Sequence, residues 1–216
     1  MMKKSIAVLG LGKYGKSLVR ALSKMHVDVL AVDREEENVK EIEDYCTAAI
    51  CADLTNEESL KALGLKDMDI VVVAIGRNLE ACIFAVTAAK EQGVQRILAK
   101  STSDRMSAIL RKIGADEVIM PEEYAGKRTA VILASDTVLD YFQVDNSLCM
   151  IEMVPLDEWV GKTLAELDLQ NRQHINVVAV KGSDGNWIMA DHDHPLSKER
   201  SLLAVMERET LGRLKD

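Results

Sequence analysis

Three glycines near the start of the chain have the spacing of a phosphate-binding turn. Gly10, Gly12 and Gly15 follow an apolar segment, residues 6–9, and precede a segment whose apolar residues recur with helical spacing. In such a strand–turn–helix unit the first glycine allows the tight turn, the second leaves room for a diphosphate, and the third lets the helix pack against the strand. The helix N-terminus then offers unpaired N–H groups to the anion. The pattern predicts a site for the phosphates of a nucleotide.

An aspartate after the next apolar segment completes this pattern. Asp33 follows residues 27–32, at about the distance from the glycines expected in a strand–helix–strand unit of ~30 residues. Its carboxylate can accept hydrogen bonds from a ribose hydroxyl. The same carboxylate disfavours a 2′-phosphate, so the sequence argues against NADP.

The same residues also match a second phosphate-binding pattern. Gly10 and Gly15 precede Lys16-Ser17 with the spacing of a P-loop, and residues 29–33 could be an apolar strand that ends in a metal-binding aspartate. Two observations favour the dinucleotide-type turn, because a P-loop does not require the middle glycine and the acid lies at the distance of a ribose contact. A glycine turn without a ligand is the simplest alternative.

Strand and helix patterns alternate through the first 120 residues or so. Strands are predicted at residues 6–9, 27–32, 47–51, 69–76, 96–100 and 117–120, with a helix between each pair. The fourth of these strands has no polar alternation, so we expect both of its faces to be buried, as in a parallel sheet. The alternation predicts an α/β fold with a doubly wound, parallel, Rossmann-like sheet.

In such a sheet the ligand lies beyond the carboxyl ends of the strands. The residues at these ends and in the glycine turn are the predicted cofactor-binding residues. They are Gly10, Leu11, Gly12, Lys13, Tyr14, Gly15, Asp33, Arg34, Asp53, Leu54, Ala74, Ile75, Gly76, Asn78 and Lys100.

The second part of the chain has a different pattern. We predict a nucleotide-binding domain over residues 1–121, a helical connector over 122–146 and a small α+β domain over 147–216. Within the last of these, strands are expected at 149–154, 175–181, 186–190 and 201–206, a short helix at 160–169, and a polar tail from 207. The second and third strands should form a β-hairpin through residues 183–185. A domain of this size is marginal alone, so we expect it to dimerise.

The composition limits the possible partners. The chain has 216 residues, 48% of them apolar, and a formal net charge of -8. An acidic chain lacks the basic face that attracts nucleic acid or an anionic lipid surface, so we predict neither partner. No apolar run approaches the ~20 residues of a membrane span. The four cysteines lack C-x-x-C spacing, which is typical of buried thiols in a reducing cytosol.

Seven segments taken together resemble one protein family. They are residues 8–18, 32–33, 69–76, 99–100, 113–119, 121–122 and 176–181. Each motif is weak alone, but their order and spacing are specific. The chain resembles the KtrA/TrkA family, the cytosolic regulatory subunits of bacterial potassium uptake systems, whose members carry an RCK (regulator of potassium conductance) N-terminal domain followed by a TrkA-C domain. The resemblance covers nearly the whole chain.

The resemblance implies a binding protein rather than an enzyme. It implies dimers assembled into an octameric ring in the cytoplasm, peripheral to the inner face of the membrane, beneath a potassium-translocating subunit of the KtrB/TrkH type. ATP or ADP, with NAD or NADH as a further ligand, would occupy the cleft and switch the ring. The alternatives are an NAD-dependent oxidoreductase, for which no residue in the later strands is an obvious partner in hydride chemistry, and a P-loop NTPase.

The resemblance also implies roles for individual residues. Asp33 would bind ribose, Asp53 would lie near the adenine, and residues 74–76 would line the base and sugar. A basic residue in the glycine turn approaches the terminal phosphates in this family, often an arginine. This chain has Lys13 there, which lacks the bidentate fork of arginine, and Lys16 adds a second positive charge.

Two further ligands are implied by the resemblance. Glu122 would help a divalent cation bind near the phosphates between subunits; the alternative is a solvated acid favoured by the helix dipole. Cyclic di-AMP would bind at the dimer seam of the C-terminal domain. The residues at that position are Arg172, His174, Ile175 and Asn176. An arginine suits a phosphate, and the alternative is an ordinary surface arginine.

Overall fold

The computed structural model describes residues 3–182, 184–212 and 214 of the chain. Contacts within these residues separate two compact units, which divide between Glu122 and Glu123. The division falls near the start of helix α6 (Pro121–Leu133). No helix in the described ranges is both long and apolar enough to cross a lipid bilayer.

The first unit is built on a parallel sheet. Its strands are β1 (Ser5–Leu9), β2 (Asp28–Asp33), β3 (Ala48–Cys51), β4 (Ile70–Val73), β5 (Arg96–Lys100) and β6 (Glu117–Ile119). The spatial order is β3-β2-β1-β4-β5-β6, and every neighbouring pair is parallel. The chain therefore winds outward from β1 in both directions, which opens a crevice at the carboxyl ends of β1 and β4. The predicted doubly wound Rossmann-like sheet is confirmed.

Helices cover both faces of this sheet. They are α1 (Lys13–Leu22), α2 (Glu36–Ile42), α3 (Glu57–Ala62), α4 (Leu79–Glu91) and α5 (Asp104–Lys112), with 3-10 turns at Glu43–Tyr45 and Leu65–Asp67. On one face Val19 of α1 and Ile42 of α2 pack with Val8 of β1. On the other, Ala85 of α4 packs with Leu9. Burial on two faces explains why the strands are apolar without alternation.

Helix α1 lies unusually close to the turn that precedes it. A Cβ built on Gly15 would lie 2.0 Å from the Gly10 carbonyl oxygen, a distance that no side chain can occupy. Gly10 itself has a φ of +100°, which favours glycine, and a Cβ there would lie 2.9 Å from Ile75 Cγ1. Both glycines are therefore required by the fold of the turn, whatever the ligand.

The second unit is built on an antiparallel sheet. Its strands are β7 (Val138–Gln143), β8 (Leu148–Met153), β9 (Ile175–Lys181), β10 (Trp187–Met189) and β11 (Leu202–Glu207), in the order β10-β9-β11-β8-β7. Every second residue of β8 is fully buried and packs with Trp159; these residues are Cys149, Ile151 and Met153. The β9–β10 hairpin forms as predicted, while Ser183 in its connection lies outside the described residues.

The predicted helical connector is wrong in its second half. Helix α6 (Pro121–Leu133) begins at Pro121, where the missing N–H is harmless, and it ends well before residue 142. The chain then forms β7, in which Val138 and Tyr141 are buried and Leu139 and Phe142 are exposed. A register shift between Val138 and Asp140 breaks the two-residue alternation, so the apolar spacing there imitates a helix.

The short helices of the second unit also depart from the sequence reading. The helix predicted over residues 160–169 is a 3-10 turn at Asp157–Trp159, then α7 (Leu164–Leu167), then α8 (Leu169–Gln173). Asp168 separates α7 from α8 with a φ of +46°. The predicted polar tail contains helix α9 (Arg208–Leu211), whose Leu211 packs against the core of the unit. A local capping box at Thr163 and Glu166 starts α7.

We expect Gly15→Ala to lower the free energy of unfolding by about 1–3 kcal/mol, since helix α1 must move away from the Gly10 carbonyl. Gly126→Ala is the matched control, because Gly126 lies within α6 and a Cβ there would meet no atom within 4 Å. The control should gain about 0.5–1 kcal/mol from helix propensity. Urea titration followed by circular dichroism measures both, and equal stability of Gly15→Ala and the wild type would contradict the crowding.

Candidate functional site

A cleft of about 680 Å³ opens at the carboxyl ends of β1, β2, β3 and β4. Its volume is within the usual range of small-molecule sites. Ten of the predicted residues line it: Gly10, Gly12, Asp33, Arg34, Asp53, Leu54, Ala74, Ile75, Gly76 and Asn78. The structure therefore brings residues from four separate connections to one site, as expected at the crevice of a doubly wound sheet.

The glycine turn presents bare backbone to this cleft. A Cβ built on Gly12 would meet no atom within 4 Å, and Gly12 has an ordinary φ of -67°. Gly12 is also the N-cap of α1, and no side chain caps that helix end. The first amides of α1 are therefore free to bind an anion, and the helix dipole favours it.

Asp33 is fixed by three hydrogen bonds. Its Oδ2 accepts the Leu11 N–H at 2.5 Å, and its Oδ1 accepts the Glu35 N–H at 2.9 Å and Asn38 Nδ2 at 3.1 Å. Only 9% of the residue is exposed. Because a carboxylate has about four acceptor positions, this arrangement leaves one for a hydroxyl group in the cleft. The predicted sugar-binding acid is thus also a support of the glycine turn.

Asp53 lies in the loop after β3 and lines the cleft. Its Oδ1 accepts the Thr55 N–H at 2.9 Å and the Thr55 hydroxyl at 2.7 Å. These bonds, with a smaller contribution from Arg34, hold the pKa of Asp53 below its usual range. Asp53 therefore presents a charged, oriented acceptor, while the neighbouring Leu54 is 5% exposed and supplies an apolar wall.

The segment after β4 forms the remaining wall. Ala74, Ile75 and Gly76 line the cleft, and the first two leave little space around Gly10. Asn78 is the N-cap of α4, and its Oδ1 accepts the Ala81 N–H at 3.1 Å. The Asn78 oxygen is thus engaged in the helix cap, which leaves its amide N–H groups for a ligand.

Five predicted residues are not part of the cleft wall: Leu11, Lys13, Tyr14, Gly15 and Lys100. The Leu11 side chain is fully buried, and its amide serves Asp33. Lys13 is exposed at the first position of α1. Lys100 is buried at the end of β5, and its Nζ contacts Glu122 Oε1 at 2.6 Å. Lys100 Nζ also lies 5.9 Å from the centre of the Tyr14 ring.

Lys16, the residue on which the P-loop interpretation depends, has a partner elsewhere. Its Nζ forms an ion pair with Glu41 of α2, which also binds Arg20 at 2.7 Å. The Lys16 side chain is 17% exposed. A P-loop lysine must be available to the terminal phosphates. The pairing of Lys16 with Glu41 therefore weakens the P-loop interpretation.

Glu122, the predicted cation ligand, is paired with Lys100, which lowers the pKa of this carboxyl group. Within one copy of the chain, the described residues contain no group of three or more acidic, histidine or cysteine side chains suited to a metal ion. A cation site between subunits is not tested by this observation, so the role of Glu122 stays a prediction.

The predicted second-ligand residues lie in the second unit. Ile175 and Asn176 line a small cleft of about 170 Å³ that also includes Asp168 and His192. Ile175 as a whole residue is only 1% exposed, so it offers a ligand little surface. Arg172 on α8 and His174, which has a φ of +57°, are exposed and are not part of this cleft.

Several residues that line the first cleft were not predicted from the sequence. They are Glu35, Asn38, Thr55, Arg77, Leu79 and Ala81. Arg77 and Leu79 are sequence neighbours of the predicted Asn78, so a prediction that covered every residue of the loop after β4 would have included Arg77 and reached Leu79. Asn38 is a polar residue early in α2, and only the fold shows that it reaches back to Asp33.

Comparison with known proteins identifies close relatives. The TrkA-N domain family matches residues 6–121. The Ktr system potassium uptake protein C of Bacillus subtilis is 41% identical over 180 residues, which make up 83% of this chain and 81% of that protein. The Ktr system potassium uptake protein A of Vibrio alginolyticus is 38% identical over 82% of this chain and 81% of that protein.

Solved structures share the fold. The GsuK channel bound to NAD has a TM-score of 0.67 and 15% sequence identity, covering 99% of this chain and 39% of that chain. GsuK bound to ADP has a TM-score of 0.51 and 16% identity, covering 62% of this chain and 35% of that chain. This chain spans less than half the length of these solved chains, and at such identities the likeness establishes the fold alone.

We expect Thr55→Val to raise the pKa of Asp53, because the hydroxyl donor is lost while the amide donor stays. The pKa of Asp53 is lower in the folded protein than in the unfolded chain. The Asp53 carboxylate therefore stabilises the fold above its unfolded pKa, and this stabilisation is lost as the pH falls through its folded pKa. The variant should therefore lose less stability on acidification. Carboxyl NMR titration measures the shift.

Thr47→Val is the control for this titration. The Thr47 hydroxyl bonds Asp28 Oδ1 at 3.1 Å, so its removal should raise the pKa of Asp28 and leave that of Asp53 unchanged. An Asp53 titration curve that is the same in Thr55→Val and the wild type would show that the hydroxyl does not contribute.

Proposed function

This chain belongs to the KtrA/TrkA family of RCK proteins, and from that membership we propose that it is a nucleotide-sensing regulatory subunit of a potassium uptake system. One observation carries the proposal. The cleft is lined both by Gly12, at the uncapped N-terminus of α1, and by Asp33 with its oriented carboxylate. These are the two groups that a nucleotide needs, one for its phosphates and one for its sugar.

The proposed ligand is an adenine nucleotide, ATP or ADP, with NAD or NADH as the second choice. The cleft volume of about 680 Å³ suits a ligand of this size. The GsuK structures with NAD and with ADP support the ligand class. NADP fits less well, because its 2′-phosphate would meet the carboxylate of Asp33, which lines the cleft.

The proposed mechanism is a population shift. The subunit has two conformations, and nucleotides with different terminal phosphates stabilise them to different extents. The difference is passed to a membrane potassium-translocating subunit, as the names of the Ktr relatives suggest. The protein itself acts by binding and not by turnover. The engagement of Lys16 by Glu41 supports this point, since it removes the lysine that a P-loop NTPase would need.

The assembly is also a proposal that follows from family membership. The nucleotide-binding domain would occupy residues 1–121, and residues 147–216 would form a TrkA-C domain that dimerises. Dimers would form an octameric ring in the cytoplasm, next to the inner face of the membrane. Cyclic di-AMP near Arg172 and Asn176, and a divalent cation near Glu122, would be further ligands.

We expect Gly12→Ala to lower the affinity for ATP and ADP at least about tenfold, a change of roughly 1.4 kcal/mol. The added methyl group would enter the cleft without touching the protein, so the free energy of unfolding should stay unchanged. Isothermal titration calorimetry measures the affinity and urea titration the stability. This substitution tests the site better than Asp33→Ala, which would also remove the support of the Leu11 amide.

The order of ligands is tested with the wild-type chain. A ligand that binds only the folded state raises the melting temperature by mass action. ATP and ADP should raise it more than NAD, and NAD more than NADP. If none of the four ligands binds in calorimetry, the proposed function is wrong; if Gly12→Ala binds as the wild type does, the phosphates lie elsewhere.

A further inference from the structure

Lys100 is a buried cation at the carboxyl end of β5. Its side chain is only 10% exposed, and its Nζ contacts Glu122 Oε1 at 2.6 Å. The centre of the Tyr14 ring lies 5.9 Å from the ammonium group. Burying a lysine ammonium is costly unless a partner compensates its charge. Lys100 therefore depends on Glu122 as long as no other anion is present.

The ammonium group lies next to the phosphate end of the cleft. A Cβ built on Gly76 would be 3.7 Å from Lys100 Nζ, and Gly76 is part of the cleft wall. Tyr14 is the second residue of α1, the helix whose first amides are uncapped. A phosphate at these amides would thus lie close to Lys100, and the flexible lysine side chain can follow a nearby negative charge.

The two partners of this ion pair are very differently exposed. The Glu122 side chain is 69% exposed, against 10% for Lys100. If the pair separates, water can solvate Glu122 at little cost, whereas Lys100 requires another anion. A phosphate group in the cleft meets that requirement. The imbalance makes Glu122 the replaceable member of the pair.

We propose that Lys100 exchanges Glu122 for the phosphate of a bound ligand, so that Glu122 acts as a built-in competitor of anion binding. The inference rests on the proposed nucleotide site and adds to it a residue that opposes the ligand. By linkage, a phosphate that draws Lys100 toward the cleft weakens its bond to Glu122 by the same factor. The first turn of α6, which carries Glu122, is thereby sensitive to the charge of the ligand.

The test compares ADP with adenosine, which has the same base and sugar but no phosphate. Calorimetry is done in EDTA, so that no divalent cation bridges Glu122 to a phosphate. We expect Glu122→Gln to raise the affinity for ADP about threefold to fivefold, the range of a partly exposed ion pair, and to leave adenosine binding unchanged. A purely structural role of Glu122 would not separate the two ligands.

Two further variants complete the experiment. Glu123→Gln is the matched control, because Glu123 is the next residue of α6 and pairs with Lys127 instead; it should bind ADP as the wild type does. Lys100→Met should bind ADP more weakly, and adding Glu122→Gln to it should have no further effect. If Lys100→Met does not fold, judged by circular dichroism, the Glu122 and Glu123 variants still decide the question.

The outcomes separate this inference from the function on which it rests. A wild-type chain that binds ADP, together with a Glu122→Gln chain of equal or lower ADP affinity, overturns the competition and leaves the nucleotide site intact. An equal gain for ADP and adenosine also overturns it, since the effect would then not depend on the phosphate charge. A wild-type chain that binds no adenine nucleotide overturns both.

Discussion

The buried hydrogen bond between the Leu11 amide and the Asp33 carboxylate is the interaction on which the cleft depends. It joins the loop after β1 to the end of β2, and at 2.5 Å it is a charge-assisted bond of the stronger kind. The bonds from Glu35 and Asn38 fix the other carboxylate oxygen. These bonds hold the turn between β1 and α1 in place before any ligand binds.

Acidic neighbours neutralise several of the cations that surround the turn. Lys16 is paired with Glu41, Arg34 with Glu35 and Lys100 with Glu122. In a chain with a net charge of -8, backbone amides and the dipole of α1 therefore supply positive potential at the turn in addition to that of its side chains. The proposed phosphate site would therefore combine the backbone amides of the turn with the charge of Lys100.

Sequence reasoning predicted the parts of the molecule that local pattern determines. Glycine spacing and apolar segments were sufficient to predict the sheet, the glycine turn and ten residues of the cleft wall. It predicted a helix in place of β7, because the register shift in that strand gives its apolar residues a helix-like spacing. It could not foresee the partners of Lys16 and Lys100 either, since Glu41 and Glu122 are 25 and 22 residues away along the chain. The double role of Asp33 was hidden for the same reason.

The three glycines of the turn are under different constraints, and this affects how the family can diverge. Gly10 and Gly15 are held by the fold, because a side chain at either would meet neighbouring atoms. Gly12 faces open space, so folding alone exerts no selection on it. If the proposed ligand were no longer needed in a descendant, neutral drift would replace Gly12 first while Gly10 and Gly15 persisted. The residue at the middle position therefore indicates whether a related chain has kept the open backbone of the proposed phosphate site.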